Sequence, residues 1–377
     1  MDHSPSHTVP GLDGSSITLA EKVAFLSRAD AYPAPVREVA VRETSKSWVF
    51  LAGDKAYKLK KPVRSPFLDF TTLARREAAC KAEVRLNRRL AAGTYLGITP
   101  LSVTPHGLHI GWDGEVADWL VVMRRLDERA MLEAQIRDGR LSRRQLGRLA
   151  AALSRFYAHA RPASISPEAF LAEWRHSLAF NHRELLALSP LGLPPGPLRR
   201  IARIQSAFFT ARQKQLARRV HARRIVDAHG DLRPEHIWLG ESVQIIDCLE
   251  FNARLRAVDA LAEVAFLDLE CERLGAAWAG EVLRSRILGR LRDGSAEELY
   301  LFYRSTHASL RARLAIAHLR EERPRTPQKW RPLALAYLRL ALRDAVRLER
   351  CLNTPGGRSE AGSRAGSEWP RREAARR

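Results

Sequence analysis

The segment His229-Gly-Asp-Leu-Arg-Pro-Glu-His236 is followed along the chain by Gln244-Ile-Ile-Asp247. Asp231 lies in a polar loop, where a carboxylate held by a rigid turn is suited to accept a proton. Asp247 lies sixteen residues later at the end of a strand-like run, where a carboxylate is suited to bind a divalent cation. Each aspartate, considered alone, could equally be an ordinary residue of a turn or of a strand end. The two together, at this spacing, predict one functional site.

The N-terminal third has the pattern of a small sheet with one helix. Strands are predicted from apolar and β-branched runs at 48–52, 56–60, 108–111 and 119–123, with a turn at 53–55. A helix is predicted over 72–91, because apolar residues recur there at helical spacing. Those apolar positions are Ala74, Ala78, Ala79, Ala82, Leu86 and Leu90.

Beyond residue 140 the helical pattern dominates. Helices are predicted at 141–158, 168–188, 197–219, 258–274, 280–292, 296–320 and 331–351. The one break is 224–252, which contains the two aspartates and two short strand-like runs. The whole pattern predicts an α+β, two-lobed protein-kinase-like fold with a small mixed N-lobe and a large mainly helical C-lobe. Its predicted parts are a flexible arm (1–16), the N-lobe (17–125), the C-lobe (126–353) with a catalytic hairpin (224–252), and a disordered tail (354–377).

Lys58 and Lys60 lie on one face of their predicted strand, because strand side chains alternate. Phosphoryl transfer needs a positive charge on the nucleotide phosphates, ligands for magnesium and a carboxylate that orients the attacking hydroxyl group. Either lysine is suited to the phosphates, although an exposed edge face would also carry lysines. Glu83 in the following helix is suited to pair with that lysine, and Glu77 on the same helix is the alternative.

Met123 and Arg124 close the predicted small lobe. The extended run before them would place backbone groups beside an adenine ring, although a plain interdomain linker would have the same pattern. The predicted nucleotide-binding residues are therefore Lys58, Lys60, Glu83, Met123 and Arg124.

Six motifs occur in order along the chain, at 47–62, 67–70, 85–90, 122–125, 229–236 and 246–252, followed by Leu255, Asp259 and 265–267. Through them the chain resembles the aminoglycoside phosphotransferase-like kinases, which share the fold of choline and protein kinases. It is most similar to the bacterial gluconate-kinase-like or aminoglycoside phosphotransferase ATP-binding proteins. The resemblance runs from about Glu43 to about Leu274. It is specific for fold and family, and weak for the substrate.

The resemblance implies an enzyme that uses ATP and Mg²⁺. It implies Asp231 and His229 as catalytic residues, Asp247 as a magnesium ligand and Asp259 as an aspartate that stabilises the catalytic loop. His236 stands five residues after Asp231, where the wider kinase pattern has an asparagine as a second metal ligand. Imidazole is a softer ligand than magnesium prefers, so a metal site formed by Asp247 and His236 would be altered or incomplete.

Two further departures concern phosphate-binding loops. No glycine-rich loop precedes the lysine strand, so 44–47 would have to serve in its place. Many relatives carry a second domain with the Gly-x-x-x-x-Gly-Lys-Ser/Thr motif, which does not occur in this sequence. We therefore expect the chain to correspond to the first domain of such relatives.

The composition narrows the partners and the location. The net charge is +21, which is the electrostatic footprint of a nucleic-acid binder. The arginines are nevertheless dispersed among Glu and Ala without a basic block, so nucleic acid is unlikely as the main partner. The four cysteines are far apart, which argues against a zinc site or a disulfide framework. The sequence has no apolar run long enough for a membrane span and no signal-peptide pattern, so a cytoplasmic location is expected.

The predicted function is transfer of the γ-phosphate of ATP to a hydroxyl group of a small molecule. Residues 253–350, which would help to form the acceptor pocket, carry 19 Arg and Lys against 13 Asp and Glu. This excess of positive charge favours a neutral or anionic sugar-like metabolite over a polycationic aminoglycoside. A nucleotide-binding pseudokinase with a regulatory role is the alternative, and a basic nucleic-acid-associated protein is a third reading. The sequence does not indicate an oligomeric state.

Overall fold

The computed structural model describes residues 17–353, apart from 66, 295–296, 322–323 and 325. The arm predicted at 1–16 and the tail predicted at 354–377 lie outside the described residues. The described chain divides into two units. The first comprises the residues up to Glu128 together with Gln244–Ala253, and the second comprises Arg129–Val243 and the residues from Arg254 onward.

The first unit is built on an antiparallel sheet. Its six strands are β1 (Val39–Glu43), β2 (Ser47–Ala52), β3 (Lys55–Lys60), β6 (Tyr95–Thr104), β7 (Gly107–Ile110) and β8 (Glu115–Arg124), and a separate pair is formed by β4 (Arg64–Ser65) and β5 (Leu68–Asp69). The strand order in the sheet is β1-β2-β3-β8-β6-β7. Gly53, with φ of +60°, opens the two-residue turn between β2 and β3, a position that favours glycine. All four predicted strands are confirmed, whereas β1 and β6 were not predicted individually.

Each face of this sheet is covered by a different helix, α1 (Leu19–Leu26) or α2 (Leu73–Ala91). Leu26 of α1 packs with Tyr57 and Leu59 of β3, whereas Ala56 of the same strand packs against α2. Neighbouring residues on a strand point to opposite faces, so the even-numbered residues of β3 face α2. This alternation directs the side chains of Lys58 and Lys60 toward that helix.

The helix α2 has a buried stripe that is more polar than the sequence pattern predicted. Its buried residues are Arg76, Cys80, Glu83, Val84, Leu86, Asn87 and Ala91. Ala74 and Ala78, which were predicted on the apolar face, are exposed. The prediction of this face was wrong at these two alanines, because charged side chains with buried partners occupy part of the face, whereas Leu86 is buried as predicted. Arg76, for example, donates from Nε to Asp118 Oδ1 of β8 at 2.7 Å.

The second unit is mainly helical. Its helices are α3 (Leu132–Arg137), α4 (Arg143–His159), α5 (Pro167–Ala187), α6 (Pro195–His221), α7 (Ala260–Arg273), α8 (Ala277–Leu291), α9 (Glu297–Ala317) and α10 (Pro327–Asn353). The short strands of the 225–259 region are β9 (Ile225–Asp227), β10 (Ile237–Leu239), β11 (Val243–Ile245) and β12 (Ala257–Asp259). β9 pairs with β12 in antiparallel register. No helix of the described ranges is both long enough and apolar enough to cross a membrane.

The helix α7 is the central helix of this unit, because every residue from Ala260 to Cys271 is buried. Asp259 caps its N-terminus and accepts a hydrogen bond from the backbone of Leu261 at 2.9 Å. The same carboxylate receives two hydrogen bonds from Arg219, at 2.7 and 2.6 Å, and one from the Tyr303 hydroxyl at 3.0 Å. Arg219 in turn donates to Asp293. This buried network fixes the start of α7.

These two units confirm the predicted fold class, an α+β protein-kinase-like fold with a small mixed N-terminal part and a large mainly helical part.

Replacing Asp259 by alanine is expected to destabilise the second unit by about 3–5 kcal/mol, because it leaves the buried Arg219 guanidinium with half of its partners. Chemical denaturation measures the loss. The matched control is Asp138→Ala, since Asp138 pairs with Arg140 at the surface and both side chains are about half exposed. A change within about 1 kcal/mol is expected there. Equal effects of the two substitutions would contradict the structural role of Asp259.

Candidate functional site

The first unit contains a chain of alternating charges at the interface between β3 and α2. Lys58 donates from Nζ to Glu83 Oε1 and to Asp247 Oδ1, both at 2.8 Å. Lys60 donates to Glu83 Oε2 and to Glu250 Oε1, both at 2.5 Å. Glu83 therefore binds one lysine with each of its oxygens.

The two lysines differ in their access to solvent. The Lys60 side chain is 1% exposed and its Nζ lies 4.9 Å from the centroid of the Phe70 ring. The Lys58 side chain is 15% exposed, and one of its partners, Asp247, is 49% exposed. Lys58, beside the half-exposed Asp247, is thus the more accessible of the two lysine side chains, whereas Lys60 is enclosed by its carboxylates.

The charges of this cluster stabilise one another. Burial alone would lower the pKa of Lys58, but Asp247 and Glu83 hold that pKa well above its ordinary value. Burial alone would raise the pKa of Glu83, but Lys58 and Lys60 outweigh it and lower that pKa. Both lysines and Glu83 are therefore charged at neutral pH, and Lys58 presents a permanent cation.

Asp247 is held by its backbone as well as by Lys58. Its φ is +63°, in the left-handed region that few residues other than glycine adopt. The backbone amide of Asp247 donates to the Tyr95 hydroxyl at 3.2 Å, and the next amide, that of Cys248, donates to Asn87 Oδ1 at 2.9 Å. A strained backbone that its surroundings over-determine is typical of a functional position.

The two predicted adenine-contacting residues end the strand β8. The Met123 side chain is buried against α2. The backbone amide of Arg124 donates to Thr94 O at 2.8 Å, and that of Arg125 donates to Asp54 O at 2.7 Å. These amides are used within the first unit, and the contact of Met123 and Arg124 with a nucleotide remains a prediction.

In the second unit, the loop that carries Asp231 is anchored by a residue that the sequence motif did not single out. Glu263 of α7, which is 2% exposed, accepts hydrogen bonds from the backbone amides of His229 at 3.1 Å and Gly230 at 2.6 Å. The Tyr157 hydroxyl donates to its other oxygen at 2.9 Å. Asp259 binds Arg219 and caps α7, and its role as the loop stabiliser, which the resemblance implied, stays a prediction.

Asp231 itself is tied to the residues that follow it. Arg233 donates from Nε to the Asp231 carboxylate, whose side chain is 25% exposed, at 3.0 to 3.1 Å. His229, which is fully buried, accepts the Asp231 amide on Nδ1 at 3.3 Å. His229 thus helps to orient the loop backbone at Asp231.

His236 has a defined tautomer. Its Nδ1 lies 2.9 Å from the carbonyl oxygen of Asp231, so this nitrogen must donate a proton. Its Nε2 lies 3.3 Å from Arg233 Nη2, so this nitrogen accepts. Both ring nitrogens are directed at protein atoms, an arrangement that favours a structural role in the loop over metal ligation. The metal-ligand role of His236 stays a prediction.

Sequence reasoning thus named the members of two local groups. The structure brings Lys58, Lys60, Glu83 and Asp247 together in the first unit, and His229, Asp231 and His236 together in the second. It also adds residues that the sequence did not assign, namely Glu250, Tyr95, Arg233 and Glu263. Among the described residues, no group of three or more His, Cys, Asp or Glu is arranged to hold a metal ion.

Glu83→Gln is expected to destabilise the protein by about 3–5 kcal/mol, because it removes the shared counter-charge of two buried lysines. Glu77→Gln is the matched control, since Glu77 lies on the same helix and pairs with Lys81 in a partly exposed ion pair. That change is expected to cost less than about 1 kcal/mol. Denaturation of both variants distinguishes the two glutamates, and a larger loss for Glu77→Gln would reverse the assignment.

Comparison with known proteins gives sequence relatives and similar folds. No protein-family model matches the chain. An uncharacterized protein of Mycobacterium tuberculosis and one of Mycobacterium bovis are each 35% identical to it over 303 residues, which cover 78% of this chain. The chain spans 58% of the length of these curated relatives.

Among solved structures, the chain is similar to a choline/ethanolamine kinase family protein from Mesorhizobium loti, with a TM-score of 0.47 and 17% identity over 89% of this chain and 96% of that one. It is also similar to a choline kinase from Cryptosporidium parvum, with a TM-score of 0.47 and 11% identity over 88% and 96% of the two chains. At these TM-scores the similarity carries no conclusion about activity, and the predicted closeness to the gluconate-kinase-like group is not tested by it.

Proposed function

We propose that the chain is an ATP-dependent phosphotransferase that moves the γ-phosphoryl group to a hydroxyl group of a small molecule, with Mg²⁺ as the metal. The observation that carries the proposal is the position of Lys58, whose charged amine is held between Glu83 and Asp247 at 2.8 Å from each and whose side chain is partly exposed. A lysine on a strand, fixed by a helix glutamate beside a metal-binding aspartate, is the arrangement that kinases use on nucleotide phosphates.

The residues of the first unit fit a nucleotide with its metal. The amine of Lys58 would bind phosphate oxygens, while Glu83 and Lys60 keep its position. Asp247 would hold Mg²⁺, because its carboxylate is half exposed and magnesium is usually bound through one or two carboxylates plus phosphate oxygens. When bound, ATP with Mg²⁺ supplies the phosphoryl group and neutralises the charge on the leaving oxygens.

Asp231 in the second unit has the proposed role of the base. Its carboxylate would accept the proton of the acceptor hydroxyl group as the hydroxyl oxygen forms its bond to the γ-phosphorus, while the bond from that phosphorus to the bridging oxygen breaks and ADP leaves. The hydrogen bonds from the loop amides to Glu263 hold the loop in place, so that the carboxylate is oriented before the acceptor binds. For the acceptor we favour a neutral or anionic sugar-like metabolite over an aminoglycoside.

A regulatory pseudokinase is the second candidate, and one observation favours it. The Asp231 carboxylate is bound by Arg233, and His236 replaces a metal-ligating asparagine with a ring whose nitrogens both face the loop. In that function the protein would bind the nucleotide without transferring its phosphate.

Lys58→Ala is expected to weaken the binding of ATP with Mg²⁺ at least tenfold, because it removes the accessible cation beside Asp247. Isothermal calorimetry below the unfolding temperature of each variant measures this directly. Lys55→Ala is the matched control, since Lys55 lies on the same strand but its side chain points to the opposite face of the sheet. Equal affinity of the Lys58→Ala variant and the control would refute the assigned role of Lys58.

Asp231→Asn is expected to lower ATP turnover by about 10²- to 10⁴-fold with the nucleotide affinity unchanged, because the amide cannot accept the hydroxyl proton. Turnover is followed as ADP release, with and without a pool of small-molecule acceptors. Asp138→Asn serves as the surface control. If the unmodified protein binds ATP with Mg²⁺ yet shows no turnover that depends on Asp231, the pseudokinase function is the correct one.

A further inference from the structure

A second cluster of charges lies on α7, α9 and α10 of the second unit, around Glu270. This carboxylate is fully buried and all its contacts are internal. Its Oε2 accepts from Arg273 Nε at 2.8 Å, and its Oε1 accepts from the Tyr337 hydroxyl at 2.6 Å. Arg311 Nε lies 3.5 Å from Oε1 and 3.4 Å from the Tyr337 hydroxyl oxygen. Both arginines thus use their Nε atoms on this one site.

The outer nitrogens of the two guanidinium groups remain open. Among the described residues, neither the Nη atoms of Arg273 nor those of Arg311 have a hydrogen-bond partner. The side chains are 16% and 21% exposed, and both guanidinium groups lie within 6 Å of the centroid of the Tyr337 ring. The carboxylate of the cluster is buried, whereas both arginine side chains are partly exposed.

A structural arginine of the same unit shows the difference. Arg304 uses its Nε on Asp344, its Nη1 on Asp268 and its Nη2 on Glu272, and its side chain is 5% exposed. Every side of that guanidinium group is paired. Arg273 and Arg311 share Glu270 as their one hydrogen-bonding carboxylate, and Glu235 and Asp231 act on them only at longer range. Their guanidinium groups are therefore less fully paired than that of Arg304.

The two arginines lie on the same side of α7 as the loop that carries Asp231. Glu263, which binds that loop, precedes Glu270 by seven residues, or about 10 Å along the helix axis. Phe266 lies between them and stacks on His307 of α9, which is one helical turn before Arg311. Burial alone would lower the pKa of Arg311, but Tyr337, Glu270 and Asp231 together raise it, in keeping with the closeness of Asp231.

His307, which lies near Asp231 and Arg311, also has a buried ring nitrogen that is available to accept a hydrogen bond. His307 Nε2 is buried and has no partner among the described residues. Burial lowers the pKa of His307 to about 4, so the ring is neutral, and its hydrogen bond to the Ala262 backbone uses the other ring nitrogen as the donor, which leaves the lone pair on Nε2. A hydroxyl group of a ligand, or a water that bridges to it, can donate to this atom.

We propose that Arg273 and Arg311 bind a carboxylate or phosphate group of the acceptor, so that the substrate is a polyhydroxylated anion such as a sugar acid or a sugar phosphate. Guanidinium forks match these planar or tetrahedral oxyanions in geometry and charge. Glu263 and Glu270, which hold the loop and the arginines respectively, are about 10 Å apart along the axis of α7, so a small polyhydroxylated molecule could contact both groups. This inference rests on the proposed phosphotransferase function and names the substrate class of its acceptor site.

The test uses the full chain with a non-hydrolysable ATP analogue and Mg²⁺ present, so that inorganic phosphate does not report on the nucleotide site. Phosphate binding is measured by calorimetry for the unmodified protein, Arg273→Gln, Arg311→Gln and the control Arg339→Gln, a substitution of an exposed arginine on α10. Glucose, gluconate and glucose 6-phosphate then form a probe set that differs mainly in charge, with kanamycin as a polycation. A thermal melt of each variant establishes that it is folded, and Arg311→Lys provides a milder change if Arg311→Gln unfolds.

We expect phosphate to bind the unmodified protein and to bind at least tenfold more weakly to the Arg273 and Arg311 variants, with less than a twofold change for Arg339→Gln. Gluconate or glucose 6-phosphate should bind better than glucose, and the better of the two identifies carboxylate or phosphate. Phosphate binding that is absent, or unchanged in the variants, overturns the inference, as does preferential binding of kanamycin. If the ATP analogue does not bind, phosphate is measured in the Lys58→Ala background: a loss caused by Arg311→Gln then supports the anion site although the phosphotransferase function has failed.

Discussion

The carboxylate of Glu83 is the group on which the first unit depends. Two lysine ammonium groups lie almost out of water on one face of β3, and an isolated charge in such a place would be prohibitively unstable. One buried carboxylate, with an oxygen for each lysine, makes their burial possible. It also fixes the distance between the sheet and α2. The position of Lys58, and through it that of Asp247, therefore follows from a requirement of stability as well as of chemistry.

In the second unit, too, one buried carboxylate pairs with two donors, which here are backbone amides. Glu263 is buried in the first turn of α7 and accepts from two successive amides of the loop before Asp231. A loop conformation that leaves two adjacent amides pointing inward needs such an acceptor, because an unpaired buried amide is costly. The order of the loop thus depends on a helix that is itself anchored by Asp259 and Arg219. Buried acids organise both units, and Asp231 and Asp247 are more exposed than those acids.

Much of this could be predicted from the sequence, and the failures have physical causes. The strands around Gly53 and the aspartates of the 229–247 segment were predictable, because turn chemistry and motif spacing are local properties. The buried face of α2 was predicted wrongly, because the apolar pattern cannot reveal that Arg76 and Glu83 have buried partners on distant strands. Lys58 and Lys60 could not be distinguished, because residues two apart on a strand share a face. Only the packing of Phe70 and Glu250 around Lys60 separates them.

The net charge of the chain is another property whose effect on ligand binding could not be predicted from the sequence. A sum of 19 basic against 13 acidic residues over 253–350 predicts the sign of a field but not where a ligand would meet it. Most of that charge is exposed on helix surfaces or, as at Arg304, is used up by internal pairs. Recognition of an anion depends on how many hydrogen-bond donors are not already paired within the protein. Around Glu270 the carboxylate is paired internally, and the Nη atoms of Arg273 and Arg311 have no hydrogen-bond partner among the described residues. The anion site proposed there therefore rests on hydrogen-bond geometry and not on the net charge of the chain.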